Sequence, residues 1–277
     1  MEIIDFDERF SDYLNAWIDK HKKEFKHAED MEDAVPDVYL KWLNTPADWL
    51  NGQTPGSYYE QWSDAAELTR LLVDYINTDN ISVPDPLLDR LQELGDEEPL
   101  LALARDEGAP AEARMHAIEL LRQLDSRTPM VDYIRWQVER TQDEELLDNA
   151  LESLHQMGED ARRPAKVAFL AANEDGKEAL LDLLSDYTGD EDVFGFALHM
   201  FKTTKDKRAL YASYLGKLDD DHALEALLDV AEGDDVSYID FIEIRNAIER
   251  LGGEAPLRDE DFLDDPTYIA VKNLQKR

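Results

Sequence analysis

Pro99-Leu100-Leu101-Ala102-Leu103-Ala104, followed shortly by Glu112-Ala113-Arg114-Met115-His116-Ala117-Ile118-Glu119-Leu120-Leu121, reads as two short amphipathic helices. Apolar residues recur at three- and four-residue spacing, the period of a helix with one buried face. The turn between them holds Gly108 and Pro110, residues that stop one helix and start the next. The same design returns near the end of the chain, in His222-Ala223-Leu224-Glu225-Ala226-Leu227-Leu228-Asp229-Val230-Ala231 and Arg245-Asn246-Ala247-Ile248-Glu249-Arg250-Leu251-Gly252-Gly253.

Between these two stretches the pattern repeats. Helix pairs are expected over 98–107 and 110–125, 129–141 and 143–157, 160–172 and 174–187, 190–202 and 205–218, and 220–232 and 236–251. The first helices start 30 or 31 residues apart. The second helices align without gaps on Leu121, Leu154, Leu184, Leu215 and Leu251. Four residues before each stands Ala117, Ala150, Leu180, Tyr211 or Ala247, a position where small residues allow close helix approach. A fixed period in this range marks stacked helical units, each able to bury its apolar face only against a neighbour. Alternating apolar runs and Asn-Gly or Asp-Gly hairpin turns are absent, so the expected class is all-α.

Over 96–253 the chain resembles a bacterial HEAT-repeat protein, similar to the phycobilisome-lyase HEAT-like repeats. That resemblance implies a right-handed α-α superhelix, a solenoid of about five helix pairs. It also implies a scaffold or binder, since HEAT proteins mostly play such roles. Nothing in the sequence marks a bilin site, and the basic face of helical-repeat DNA glycosylases is missing.

Residues 1–95 lack the period and read as an irregular helical N-terminal cap. Helices are expected over 7–28, 34–43, 64–77 and 87–94. Between the second and third, two prolines and two glycines (Pro46, Pro55, Gly52, Gly56) forbid a continuous helix, and Trp42, Trp49 and Trp62 flank or sit in the loop. The run Trp42-Leu43-Asn44-Thr45-Pro46, with Leu50-Asn51-Gly52-Gln53-Thr54-Pro55, resembles a loop in the toxin-binding domain of some bacterial antitoxins. Residues 254–277, with Pro256, Pro266 and an acidic run over 259–265, read as a C-terminal cap or tail whose helix waits until about 268–273.

The formal net charge is −35, with −13 on residues 1–95 and −22 on the rest, so it is spread over the body. Such a field repels phosphates and anionic lipid, which argues against nucleic-acid or membrane partners and favours a protein partner, a basic one where the charge is used. No cysteine is present, which removes disulfides, thiolate metal sites and thiol nucleophiles. No segment approaches the ~18 apolar residues of a membrane span, and no secretory leader is visible, so a cytoplasmic location is expected.

Motifs for chemistry are missing. There is no HExxH pair, phosphate loop or serine elbow, and the carboxylates are too many for any pair to single itself out. No catalytic residue, metal site or cofactor is expected, and the chain is not read as an enzyme. Binding candidates come from the repeat register. Arg114, Lys177 and Arg208 stand three residues before the aligned small position in three second helices, a ladder of bases that pairs with acids of the adjacent unit or with a partner. Tyr211 and Tyr214 put two amphipathic rings on one face, and Asn246 extends it. Lys20, His21, Lys22 and Lys23, with Lys26 and His27, form a dense basic cluster at a helix end. The leading expectation is non-catalytic protein binding or scaffolding on a concave surface lined by second helices. Two alternatives stand beside it: an enzyme or enzyme accessory with a small-ligand pocket near Trp42, Trp49 and Trp62, and a toxin-neutralising regulatory partner.

Overall fold

In the computed structural model, which describes residues 1–25, 27–258 and 261–274, the chain is helical and no strand occurs among those residues. Lys26 of the basic cluster and positions 259 and 260 of the acidic run lie outside them. In chain order the helices are α1 (Phe6–His21), α2 (Ala28–Glu32), α3 (Val35–Leu43), α4 (Ala65–Ile76), α5 (Asp85–Leu94), α6 (Glu97–Arg105), α7 (Ala111–Gln123) and α8 (Met130–Glu139). Then follow α9 (Glu144–Met157), α10 (Glu159–Ala171), α11 (Glu174–Leu184), α12 (Glu191–Thr203), α13 (Arg208–Leu218), α14 (Leu224–Glu232), α15 (Tyr238–Arg250) and α16 (Pro266–Leu274).

Local chemistry sets the ends. Side chains of Asp5, Asp64, Asp96, Asn173, Asp190 and Ser237 accept backbone amides in the first turns of α1, α4, α6, α11, α12 and α15, as N-caps do. α1 stops at His21, short of the expected 28. The His21 ring stacks on Trp17 at 4.6 Å, and its Nδ1 lies 2.8 Å from the Trp17 carbonyl oxygen. Continuing the helix would line up the like charges of Lys20, Lys23 and their neighbours, whereas at a C-terminus the same charges complement the helix dipole.

The chain divides into two compact units, Met1–Pro129 with Gln142–Gln156, and Met130–Thr141 with Met157–Arg277. The unit boundary therefore runs through the second expected pair, with α8 in one unit and nearly all of α9 in the other.

In the first unit an aromatic core gathers the N-terminal segment. Phe6 meets Trp42 and Trp49 edge-on at 6.2 and 5.8 Å and stacks on Tyr59 at 5.9 Å. The Tyr75 hydroxyl accepts from the Ile4 amide (3.0 Å) and also lies 3.1 Å from the Ile4 carbonyl and 2.8 Å from the Tyr59 hydroxyl. The loop after α3 turns through Asn51 and Gly52, both at positive φ, and returns so that the Gly56 amide donates to the Leu43 carbonyl. α6 packs on α7 through Leu100, Leu103, Ala113, Ala117, Ile118 and Leu121, all buried.

In the second unit α8 packs on α10 and α11, α12 on α13, and α13 and α14 on α15. Two glycines set the closest approaches. A methyl group at Gly216 would lie 3.2 Å from the Ala247 Cα, so α13 and α15 come together where both sequences are small. One at Gly176 would lie 3.1 Å from Val138 and Ala172 alike, which brings the C-terminal ends of α8 and α10 against the start of α11. The segment before α16 covers α14 and α15. Arg258 donates to the carbonyls of Ala231 (2.7 Å) and Gly233, and Phe262 is buried against Phe241 and Tyr238.

Candidate functional site

The residues singled out by the repeat register occupy very different environments. Arg114, on α7, is 5% exposed; its Nε donates to the Ala104 carbonyl at 3.0 Å and its Nη2 to Gln142 Oε1 at 2.8 Å. Burial pulls the guanidinium pKa down, against the pull of Glu107, Asp143 and Asp106. Lys177, half-buried on α11, places its ammonium 5.7 Å from the Phe169 ring and 6.0 Å from that of Phe196. Arg208 opens α13 and donates to the Asp235 carbonyl at 2.9 Å, while its Nε is buried without a hydrogen-bond partner.

Tyr211 is fully buried on α13 and Tyr214 nearly so, their rings 6.4 Å apart and edge-on. Burial raises both phenols well above the ordinary tyrosine value, and the neighbouring carboxylates Glu178 and Asp182 push them further. Asn246 is exposed on α15. Arg114, Tyr211 and Tyr214 thus serve packing and are not presented at a surface, and Arg114 lies in a different unit from the other five residues. Three acids on or just after α11 are engaged by α13 and the turn before it: Lys207 reaches Glu178, and Lys217 reaches Asp186 at 3.0 Å and Asp182 at 3.8 Å.

The tryptophan loop holds rings rather than a chamber. Trp42 is buried, and Trp49 and Trp62 are half-buried against Phe6, Tyr58 and Tyr59. The first unit does contain a cavity of about 640 Å³, open to solvent between α4 and α6 and bordered by Arg70, Asp74, Ala102 and Asp106; no tryptophan lines it. The ligand atoms of Asp220, Asp221 and His222 lie within 4.8 Å of one another in an exposed turn. Asp220 accepts from the His222 amide and sits 2.7 Å from its ring, which raises the imidazole pKa. This is the hydrogen bonding of a helix cap.

A different surface stands out in the second unit. α8 and α10 run side by side, and between them lies a cavity of about 360 Å³ with apolar walls. α8 contributes Val131, Ile134 and Val138, and α10 contributes Pro164, Val167 and Ala171, each set at the spacing of one helical stripe. Ala168 and Ala172 make the floor shallow. Val131 is 71% exposed, Val167 64% and Leu170, on the same outer face of α10, 54%. Large apolar side chains this open, and adjacent, are uncommon on a monomer surface and mark places where something binds.

The lining itself holds one base, Arg135, and one acid, Glu139. On α10, after Glu159 and Asp160 of its first turn, come Arg162, Arg163 and Lys166, which border a separate hollow with Leu184, Tyr187 and Asp190; Arg163 stands one helical turn before Val167, a residue common to both. Arg162 holds Glu159 and the Thr188 carbonyl and lies over the Tyr187 ring at 5.0 Å. Lys166 bridges to Asp190 and Asp192. Arg163 is exposed and makes no hydrogen bond or ion pair among the described residues. Across the groove Arg135 pairs with Asp132 at 2.8 Å, and Glu139 stands one turn further on.

The helix expected over 160–172 is α10, and it buries one stripe, Ala161, Ala165 and Phe169. The signal for the groove was the second apolar stripe on the same helix, Pro164, Val167, Ala168 and Ala171, more than one buried face requires.

No protein-family model matches the chain, and no curated protein matches it. Among the described residues no helix is long and apolar enough to cross a membrane.

Proposed function

We propose that this chain is a HEAT-like helical-repeat protein whose work is non-catalytic binding of another protein, and that the α8–α10 groove is where it binds. The 30- or 31-residue recurrence of helix pairs supports the repeat architecture. The binding reading is carried by one observation: Val131 and Val167 stand open to solvent on the two walls of one apolar groove, with exposed Leu170 one turn after Val167, on a chain whose surface is otherwise crowded with carboxylates. Groups that would do chemistry do not converge there. The groove's polar lining is one arginine and one glutamate, without a nucleophile or a histidine.

The test is site-specific photo-crosslinking in cells. A photoreactive residue at Val167 is expected to give a discrete protein adduct. The same residue at Leu40, also exposed but on α3 of the other unit, is the comparison. Identical adduct patterns at the two positions, or none at Val167, would remove the groove as the binding site.

A further inference from the structure

We infer that the occupant of the α8–α10 groove is an amphipathic helix of another protein whose apolar face is flanked by carboxylates. The inference rests on the binding reading above and adds the chemistry of the partner.

The shape selects a helix. Peptide segments bind proteins in a few recurring ways, each with its own demand on the receiving surface. Strand addition needs an open sheet edge, and the described residues contain no strand. Polyproline recognition needs an aromatic-lined groove, and no aromatic side chain lines this one. Two adjacent helices present a furrow between their ridges, which is what a third helix packs into. From Pro164 to Ala171 the α10 wall advances about 11 Å at 1.5 Å per residue. Two turns of a partner helix match it, with anchors at i, i+3 or i+4, and i+7. The alanine floor lets such a helix approach closely, and Val131, Val138 and Val167 supply the walls.

The charge selects the flanks. At physiological salt the screening length is about 8 Å, so a docked helix feels the groups at the rim more than the net charge of the body. Beside Val167 that group is Arg163, one helical turn earlier on α10, exposed and with no acid paired to it; on the facing wall it is Arg135, whose side chain is 52% exposed beside Asp132. Arg162 and Lys166 border a separate hollow with Tyr187 and Asp190, where they already hold acids, and Glu139 is the acid of the lining. A carboxylate on the partner meets the guanidinium of Arg163 without displacing an existing ion pair. A lysine there meets like charge. The −35 body in general favours basic partners, but this surface has the opposite preference.

The experiment uses the full chain and two fluorescent sixteen-residue helical peptides that share one Leu/Ala face. One carries glutamates beside that face and the other lysines. At 0.15 M salt the glutamate peptide is expected to bind about tenfold more tightly, a difference typical of rim charges. Val167→Glu should abolish its binding, and so should Val131→Glu, which guards against one variant misfolding. Arg163→Glu with Arg135→Glu should reverse the preference. Equal binding, or tighter binding of the lysine peptide, overturns the carboxylate-flanked partner and leaves the protein-binding reading in place. If neither peptide binds while position 167 still crosslinks a protein in cells, the helix is overturned and the binding site is kept. A concentration-dependent dimer that Val167→Glu dissolves would make a second copy the occupant and overturn the inference.

Discussion

Arg114 and Lys177 stand at the same distance before an aligned position in the sequence recurrence, yet the structure puts them to different use. Arg114 gives its Nε proton to Ala104, a carbonyl in the last turn of α6. Such carbonyls have no partner within their own helix, so a buried donor from outside is needed. Arg114→Met keeps the aliphatic stem and removes the fork. The expected loss is about 2–3 kcal/mol, the range for a buried hydrogen bond from a charged group. Arg114→Lys should recover little of it, because an ammonium cannot span two acceptors in fixed geometry. Lys177→Met removes only ring contacts at a half-buried site, and the expected loss is under about 1 kcal/mol. Urea unfolding of the three variants separates the cases. Equal losses for Arg114→Met and Lys177→Met would mean that the buried fork contributes no more than a surface charge. From sequence alone both bases read as one ladder. What distinguishes them is depth below the surface, and that depends on chain ten residues away at Ala104 and 28 away at Gln142.

Helices over 96–253 were legible because each has to bury a stripe. The second helix expected at 110–125 is α7, Ala111–Gln123, and the one expected at 205–218 is α13 with its preceding 3₁₀ turn. The pairing partners were less legible, since periodicity shows which residues seek cover and not which neighbour supplies it. That is why Tyr211 and Tyr214 read as surface candidates in the sequence while nothing in the periodicity singles out Val167. Glycines carry some of the missing information. Gly216 and Gly195 both sit inside helices and look alike in sequence. A methyl group on Gly216 would press on Ala247 at 3.2 Å, whereas one on Gly195 meets nothing within 4 Å. Gly216→Val should therefore destabilise the fold by about 1–3 kcal/mol through overpacking between α13 and α15. Gly195→Ala should stabilise it by about 0.5–1 kcal/mol, the helix-propensity gain with no clash to offset it. Thermal unfolding of both variants reads the signs. A stabilising Gly216→Val would show that α13 and α15 are not held as close as the glycine allows.

On the scale of the whole molecule, the −35 charge sets how stability responds to pH. Close carboxylates repel one another in the folded chain, and lowering pH toward the pI of about 4.3 relieves that repulsion. Asp89 shows it locally. Burial first, then Asp85 and Glu93, raise its carboxyl above the ordinary value. A carboxyl raised on folding weakens the fold while ionised, and the penalty is relieved as pH falls through its folded pKa. Other carboxylates act in the opposite sense. Burial pushes Asp190 up, but Lys166 and the amides of Val193 and Asp192 together bring it below the ordinary value. Asp265 is likewise brought down, against burial, by the amides of Tyr238, Tyr268 and Thr267. A carboxyl depressed on folding contributes stability above its unfolded pKa, about 3.9 for aspartate, and loses it as pH falls through the folded one. The two groups therefore act in different windows. Between pH 8 and pH 5 repulsion is being relieved while Asp190 and Asp265 stay ionised, so the melting temperature should rise, by an amount on the order of 5 °C. Below about pH 4 the caps and ion pairs protonate and it should fall. Salt separates the causes in calorimetry, because 0.5 M NaCl screens distant repulsion far more than hydrogen-bonded caps. The rise should flatten in salt while the acid-side fall persists. A melting temperature that drops steadily from pH 8 to pH 5 at low salt would mean that the paired carboxylates, and not the repulsion among the rest, govern the stability of this chain.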